Sequence, residues 1–145
     1  MENDIQKIQI IEAVNAIVNT ADNKEWEACA SCFTNEVLLD HDAHLNDQPI
    51  ILSNRQLIED WQRVFSDMSF TWHQVTNHAV TINDDLAICY SKVMGLHVGK
   101  TNNSYYSTWG NYKHELSLTS NGWKVSSIQY KQLFDQRDSL YKINV

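Results

Sequence analysis

The stretch FTWHQVTNHAVTI-NDD-LAICYSKVMGLHV, residues 70–98, decides the fold. Its apolar and polar residues alternate with a period of two, the repeat of a strand whose side chains point to opposite faces. Phe70–Ile82 reads as one long strand and Leu86–Val98 as a second, with Asn83-Asp84-Asp85 as the turn between them. Strands joined by so short a turn must be antiparallel neighbours. On the first strand His73, Val75, Asn77 and Ala79 fall on one face, and Trp72, Gln74, Thr76 and His78 on the other.

The alternation continues downstream. Gly99 to Ser104 is a longer turn, Tyr105–Thr119 a third strand and Trp123–Phe134 the last. Asn121-Gly122 is a hairpin signal, because both residues tolerate positive φ in a type I′ turn. Gly95 and Gly110 fall inside strand patterns, where glycine marks a bulge or bend that lets a sheet curl.

Upstream the apolar period is helical. Ile5, Ile8, Ile11, Val14 and Val18 recur through residues 4–20, flanked by Ile10, Ala13 and Ile17, with Asn3 and Gln6 placed to cap the start. A shorter helix at about 24–33 carries Trp26, Cys29, Ala30 and Phe33, and Asp22 with Glu25 has capping-box spacing before it. Val37–Leu39 suggests a short strand, and Asp40 to Pro49 is polar and turn-rich. A third helix at about 54–68 presents Leu57, Trp61, Val64, Phe65 and Met68, with Ser53 and Gln56 as its capping box.

Helices first and long sequential strands afterwards give an α+β fold with the helices on one face of a curved antiparallel sheet. Such an arrangement leaves a hollow that suits a ligand. The 145 residues fit one domain, with a core over about 5–134 and a tail at 135–145 that is exposed or docks a partner. A chain of this length buries roughly 70% of its unfolded surface and needs no staple.

The net charge of −7 repels phosphate backbones and anionic membrane surfaces, so neither nucleic acid nor membrane is an expected partner. The start Met1-Glu2-Asn3-Asp4 lacks the basic, then apolar, character of an export signal. Three cysteines cannot all pair within one chain, which fits a reduced, cytoplasmic setting.

Four motifs, in order, resemble the SnoaL-like family of the nuclear transport factor 2-like superfamily. They are Ala21-Asp22-Asn23-Lys24-Glu25-Trp26 between helices, the strand Thr71-Trp72-His73-Gln74-Val75-Thr76-Asn77, Gly110-Asn111-Tyr112 with Leu116, and Gly122-Trp123-Lys124-Val125. The resemblance implies a cone-shaped cavity under the N-terminal helices and a homodimer formed through the sheet. It also implies a cofactor-independent lyase or isomerase (a dehydratase, cyclase or isomerase) acting beside the carbonyl of a small apolar molecule. His73 would be the base, Asp22 its orienting partner and Tyr112 an oxyanion stabiliser, with Asn77, Trp26 and Trp109 as cavity-lining candidates. No cofactor is expected, because the carbonyl is itself the electron sink.

Each of these residues also has a plainer reading. His73 can be a strand histidine satisfied by a neighbour, Asp22 a helix cap, and the tyrosines ordinary sheet aromatics. Scytalone-type relatives carry a second histidine on the strand that here holds Trp109 and Gly110, and none stands there. That motivates an alternative: a non-catalytic ligand-binding or assembly domain, including the small subunit of a ring-hydroxylating oxygenase. Asp40-His41-Asp42-Ala43-His44 has metal-ligating residue types but reads as a solvated loop, and Cys29 and Cys32 read as helix core residues.

Overall fold

The structure is a computed structural model that describes residues 1–41 and 48–141. Its elements run α1 (Glu2–Asp22), α2 (Trp26–Ala30), β1 (Phe33–His41), β2 (Ile50–Ser53), α3 (Asn54–Phe65), β3 (Met68–Asn83), β4 (Leu86–Gly99), β5 (Tyr105–Thr119) and β6 (Gly122–Arg137). The strands form one curved, unclosed sheet in the order β2-β1-β6-β5-β4-β3. Among the described residues only β1 and β6 pair in parallel; every other neighbouring pair is antiparallel.

The apolar stripe of α1 that reaches the core is Ile10, Val14, Ile17 and Ala21, whereas Ile5 and Ile8 are exposed. These residues pack with Leu57 and Ile58 of α3 and with Val37, Cys89, Leu116, Val125 and Ile128 of the sheet. Ser53 caps α3 in the expected box with Gln56. No side-chain cap starts α1, which begins at Glu2 and not beside Asn3. Residues 33–41 extend as strand rather than helix, so Cys32 lies beyond the end of α2. The last strand continues to Arg137, and Tyr141 stacks on Tyr106, so this part of the tail is not free chain.

Two backbone features reset the expected faces. Asn77 adopts φ 57°, and the β3–β4 register slips between Thr76 and Ala79. This bulge sends Asn77 and Ala79 outward and brings His78, Val80 and Ile82 onto the helix-covered face with His73. Of the final hairpin pair only Gly122 takes positive φ, at 91°, and the chain turns through Ser120 and Asn121 because Thr119 pairs with Gly122.

Candidate active site

Asp22 is the last residue of α1, not the cap of α2. The helix ends in a Schellman arrangement: Glu25 N–H donates to Thr20 O at 2.8 Å and Lys24 N–H to Ala21 O at 3.0 Å, with Lys24 at φ 58°. A carboxylate here faces the negative end of the helix dipole, which is unfavourable by itself. The neighbouring strand compensates. His73 N–H donates to Asp22 Oδ2 at 2.7 Å, Thr71 Oγ1 donates to Oδ1 at 2.9 Å, and His73 Nδ1 lies 2.7 Å from Oδ1. Burial raises the Asp22 carboxyl, but the hydrogen bonds and charge of His73, with the Thr71 hydroxyl, outweigh it and hold the group below its usual range.

An ionised carboxylate only accepts hydrogen bonds. Whenever the His73 ring carries a single proton, that proton therefore belongs on Nδ1, facing the carboxylate, and Nε2 keeps its lone pair. His73 and Asp22 keep 13% and 15% side-chain exposure, so the pair is enclosed yet reachable. Phe65 of α3 stacks on His73 with ring centroids 6.4 Å apart, and Trp26 backs Phe65 at 5.5 Å.

Gly95 faces His73 across the β3–β4 pair. A Cβ there would come 3.0 Å from His73 Cδ2 and 3.2 Å from His97 Cε1. Glycine thus makes room for two imidazoles, whose centroids lie 5.0 Å apart. His97 is the residue that sequence reasoning missed. Counted back from the Asp84-Asp85 turn without the bulge, it falls opposite Trp72 on the outer face; with the bulge it pairs with Thr71. Burial pushes the His97 ring down to about 4, with help from the nearby His73, so it is neutral at pH 7. Its Nδ1 is buried without a hydrogen-bond partner, and Tyr106 stacks on it at 5.6 Å.

Of the other candidates, Tyr112 shares the inner face, whereas Asn77 and Trp109 do not. Tyr112 is on the inner face but further along β5, paired with Ser91 and packed against His114 and Tyr130. Burial raises its phenol well above the ordinary value. Asn77 and Trp109 do not line the inner face. The bulge turns Asn77 outward, and Trp109 alternates with the inward Thr108 and Gly110 and packs on Phe134 at 5.3 Å outside. A hollow of about 450 Å³ on the outer face and another of about 280 Å³ beside Leu86 and Leu116 both lie away from His73.

Among the described residues no group of His, Cys, Asp or Glu could hold a metal ion, and Asp42 to Asp47, with part of the sequence-level metal cluster, lie outside them. Cys29 is buried, and burial lifts its thiol to about 11, which suits a core residue. No helix among those residues is long and apolar enough to cross a membrane.

This fold, with a carboxylate-held histidine under its first helix, is that of a SnoaL-like domain, and residues 6–129 match the model of that family, to which the chain belongs. No curated protein matches it by sequence. Among solved structures, the Kfla4162 protein of Kribbella flavida is 22% identical, with TM-score 0.87 over 92% of this chain and 95% of that one. A Novosphingobium aromaticivorans protein provisionally named an aromatic ring hydroxylase is 25% identical, with TM-score 0.81 over 92% and 93%. Another from the same species, provisionally named a scytalone dehydratase, is 12% identical, with TM-score 0.83 over 98% and 93%.

Proposed function

We propose that the chain is a cofactor-independent lyase or isomerase, a dehydratase, cyclase or isomerase acting by proton abstraction next to the carbonyl of a small apolar molecule. The supporting observation is the Asp22–His73 pair, which leaves Nε2 as a base beside Phe65 and His97. Nε2 removes the α-proton, and the C–H electron pair moves into an enolate. The enolate oxygen is met by the neutral imidazole of His97. In a dehydration the β-hydroxyl then leaves as water, taking a proton back from the His73 imidazolium. Asp22 stabilises that cation in between. Tyr112, further along β5 on the same face, is near enough for the Asp22 charge to raise its phenol, and Tyr106 is the phenol stacked on His97.

Deuterium exchange tests this without knowing the substrate. Aryl and alicyclic ketones are incubated in D2O with the protein, and α-deuteration is followed by NMR. The expected result is exchange by the wild type that falls at least about a hundredfold in His73→Gln. Equal exchange in both proteins would defeat the proposal. Ligand binding with no exchange in either would favour a non-catalytic binding domain.

The likeness to the named ring hydroxylase supports a second reading, a small subunit of an oxygenase. Co-purification of a second, larger chain from the native source would favour it. As the partner surface we propose the outer sheet face, where Phe70, Trp72, Leu96, Trp109 and Phe134 form an apolar patch that suits a second copy. Sedimentation of wild type and Trp72→Glu tests this: a dimer lost in the variant is expected, and a monomeric wild type contradicts it.

A further inference from the structure

On the outer face, away from His73, Lys92, Lys113 and Lys131 border the 450 Å³ hollow. We infer that this hollow binds a small molecule carrying phosphate or carboxylate groups. The sheet register builds the site. Lys92, Asn111 and Lys131 form one row across β4, β5 and β6. Strands about 4.8 Å apart place the two ammonium-bearing residues roughly 10 Å apart, with the Asn111 amide between them. Lys113 stands two residues along on the same face, opposite Tyr90.

The charges around the hollow are unevenly matched. Lys113 is paired with Glu115 at 3.1 Å, and Asp40 accepts from the Gln129 amide at 3.1 Å. Lys92 and Lys131 have no ion pair among the described residues. Like charges gathered on one face of a sheet weaken it unless something lies between them. The bulge adds a donor: Asn77, held at φ 57°, borders the same hollow. In a chain of net charge −7, a concave positive spot of small-molecule size concentrates anions that the rest of the surface repels. The same overall charge disfavours a nucleic acid as occupant. By register the hollow lies beside the apolar patch, one row beyond Met94 and Trp109.

The test is a titration of the full chain with pyrophosphate, and separately with citrate, followed by amide NMR. Sodium chloride at matched ionic strength is the control. The expected result is a saturable response confined to residues around 77, 90–92, 111–113 and 129–131. Affinity should fall at least about tenfold in Lys92→Gln/Lys131→Gln, as loss of charge-assisted hydrogen bonds requires. Asn111→Asp should abolish binding without disturbing the exchange chemistry at His73. The stronger of the two anions identifies phosphate or carboxylate as the recognised group. A response reproduced by sodium chloride, spread over all lysines, or unchanged in the double variant overturns the proposal.

Discussion

Asp22 and His73 hold each other through two contacts, one to the imidazole and one to the backbone N–H, so the ring and the strand are fixed together. Asp22→Asn keeps the size but replaces the acceptor-only carboxylate with an amide that no longer dictates the tautomer. Ketone exchange should then fall about 10²–10⁴-fold with ligand affinity nearly unchanged, as rate against substrate concentration will show. Gly95→Ala acts from the opposite side, because its methyl meets both imidazoles at 3.0–3.2 Å. Displacing them should lower the exchange rate while costing about 1–3 kcal/mol in urea unfolding; wild-type activity in this variant would mean that the ring position does not matter. The sequence signals of this site were uneven. The Asp22 and His73 candidates came from motif position, and the structure places them in contact. That Asp22 ends α1 and opposes its dipole was not read from the sequence, where the residue stood as a cap for the second helix. His97 had no local signal, because whether it shares a face with His73 depends on the β3 bulge, which alternation alone does not reveal.

At the level of elements, β3 carries the decisive irregularity. Asn77 sits in the left-handed region, which asparagine tolerates and β-branched residues do not. Asn77→Gly should leave stability within about 0.5 kcal/mol, whereas Asn77→Val should cost about 1–2 kcal/mol in chemical denaturation. Equal stability of the two variants would argue against a bulge at this position. The long strands and the α3 box were legible because period and capping are local. The bulge was not, because a strand that changes face midway still shows alternation on both sides of the break. The strands flanking the polar loop were under-read for a related reason: β1 is held by its parallel pairing to β6, a contact ninety residues distant in sequence that a local pattern does not express.

Across the whole molecule, helices on one sheet face enclose uncharged histidines. Burial pushes His114 down to about 3, with His78 and His41 nearby adding to the effect, and His97 down to about 4. Both bind fewer protons folded than unfolded between those values and the ordinary histidine value near 6.5. Stability should therefore be fully present above about pH 6.5 and decline as pH falls, by up to roughly 1.4 kcal/mol per pH unit per histidine. Asp22, whose carboxyl is lowered from 3.8, keeps its contribution until the pH falls below that value. Urea unfolding at pH 7, 6, 5 and 4.5 reads the histidine window alone, above that of Asp22. A flat profile down to pH 4.5 would mean that these imidazoles are solvated.

The most direct test of the account is the tautomer of His73, read from long-range ¹⁵N–¹H imidazole spectra of the neutral ring in wild type and Asp22→Asn. The proton should reside on Nδ1 in the wild type and redistribute toward Nε2 in the variant. A wild-type ring protonated on Nε2, or identical spectra in the two proteins, would show that Asp22 does not prepare His73 as a base.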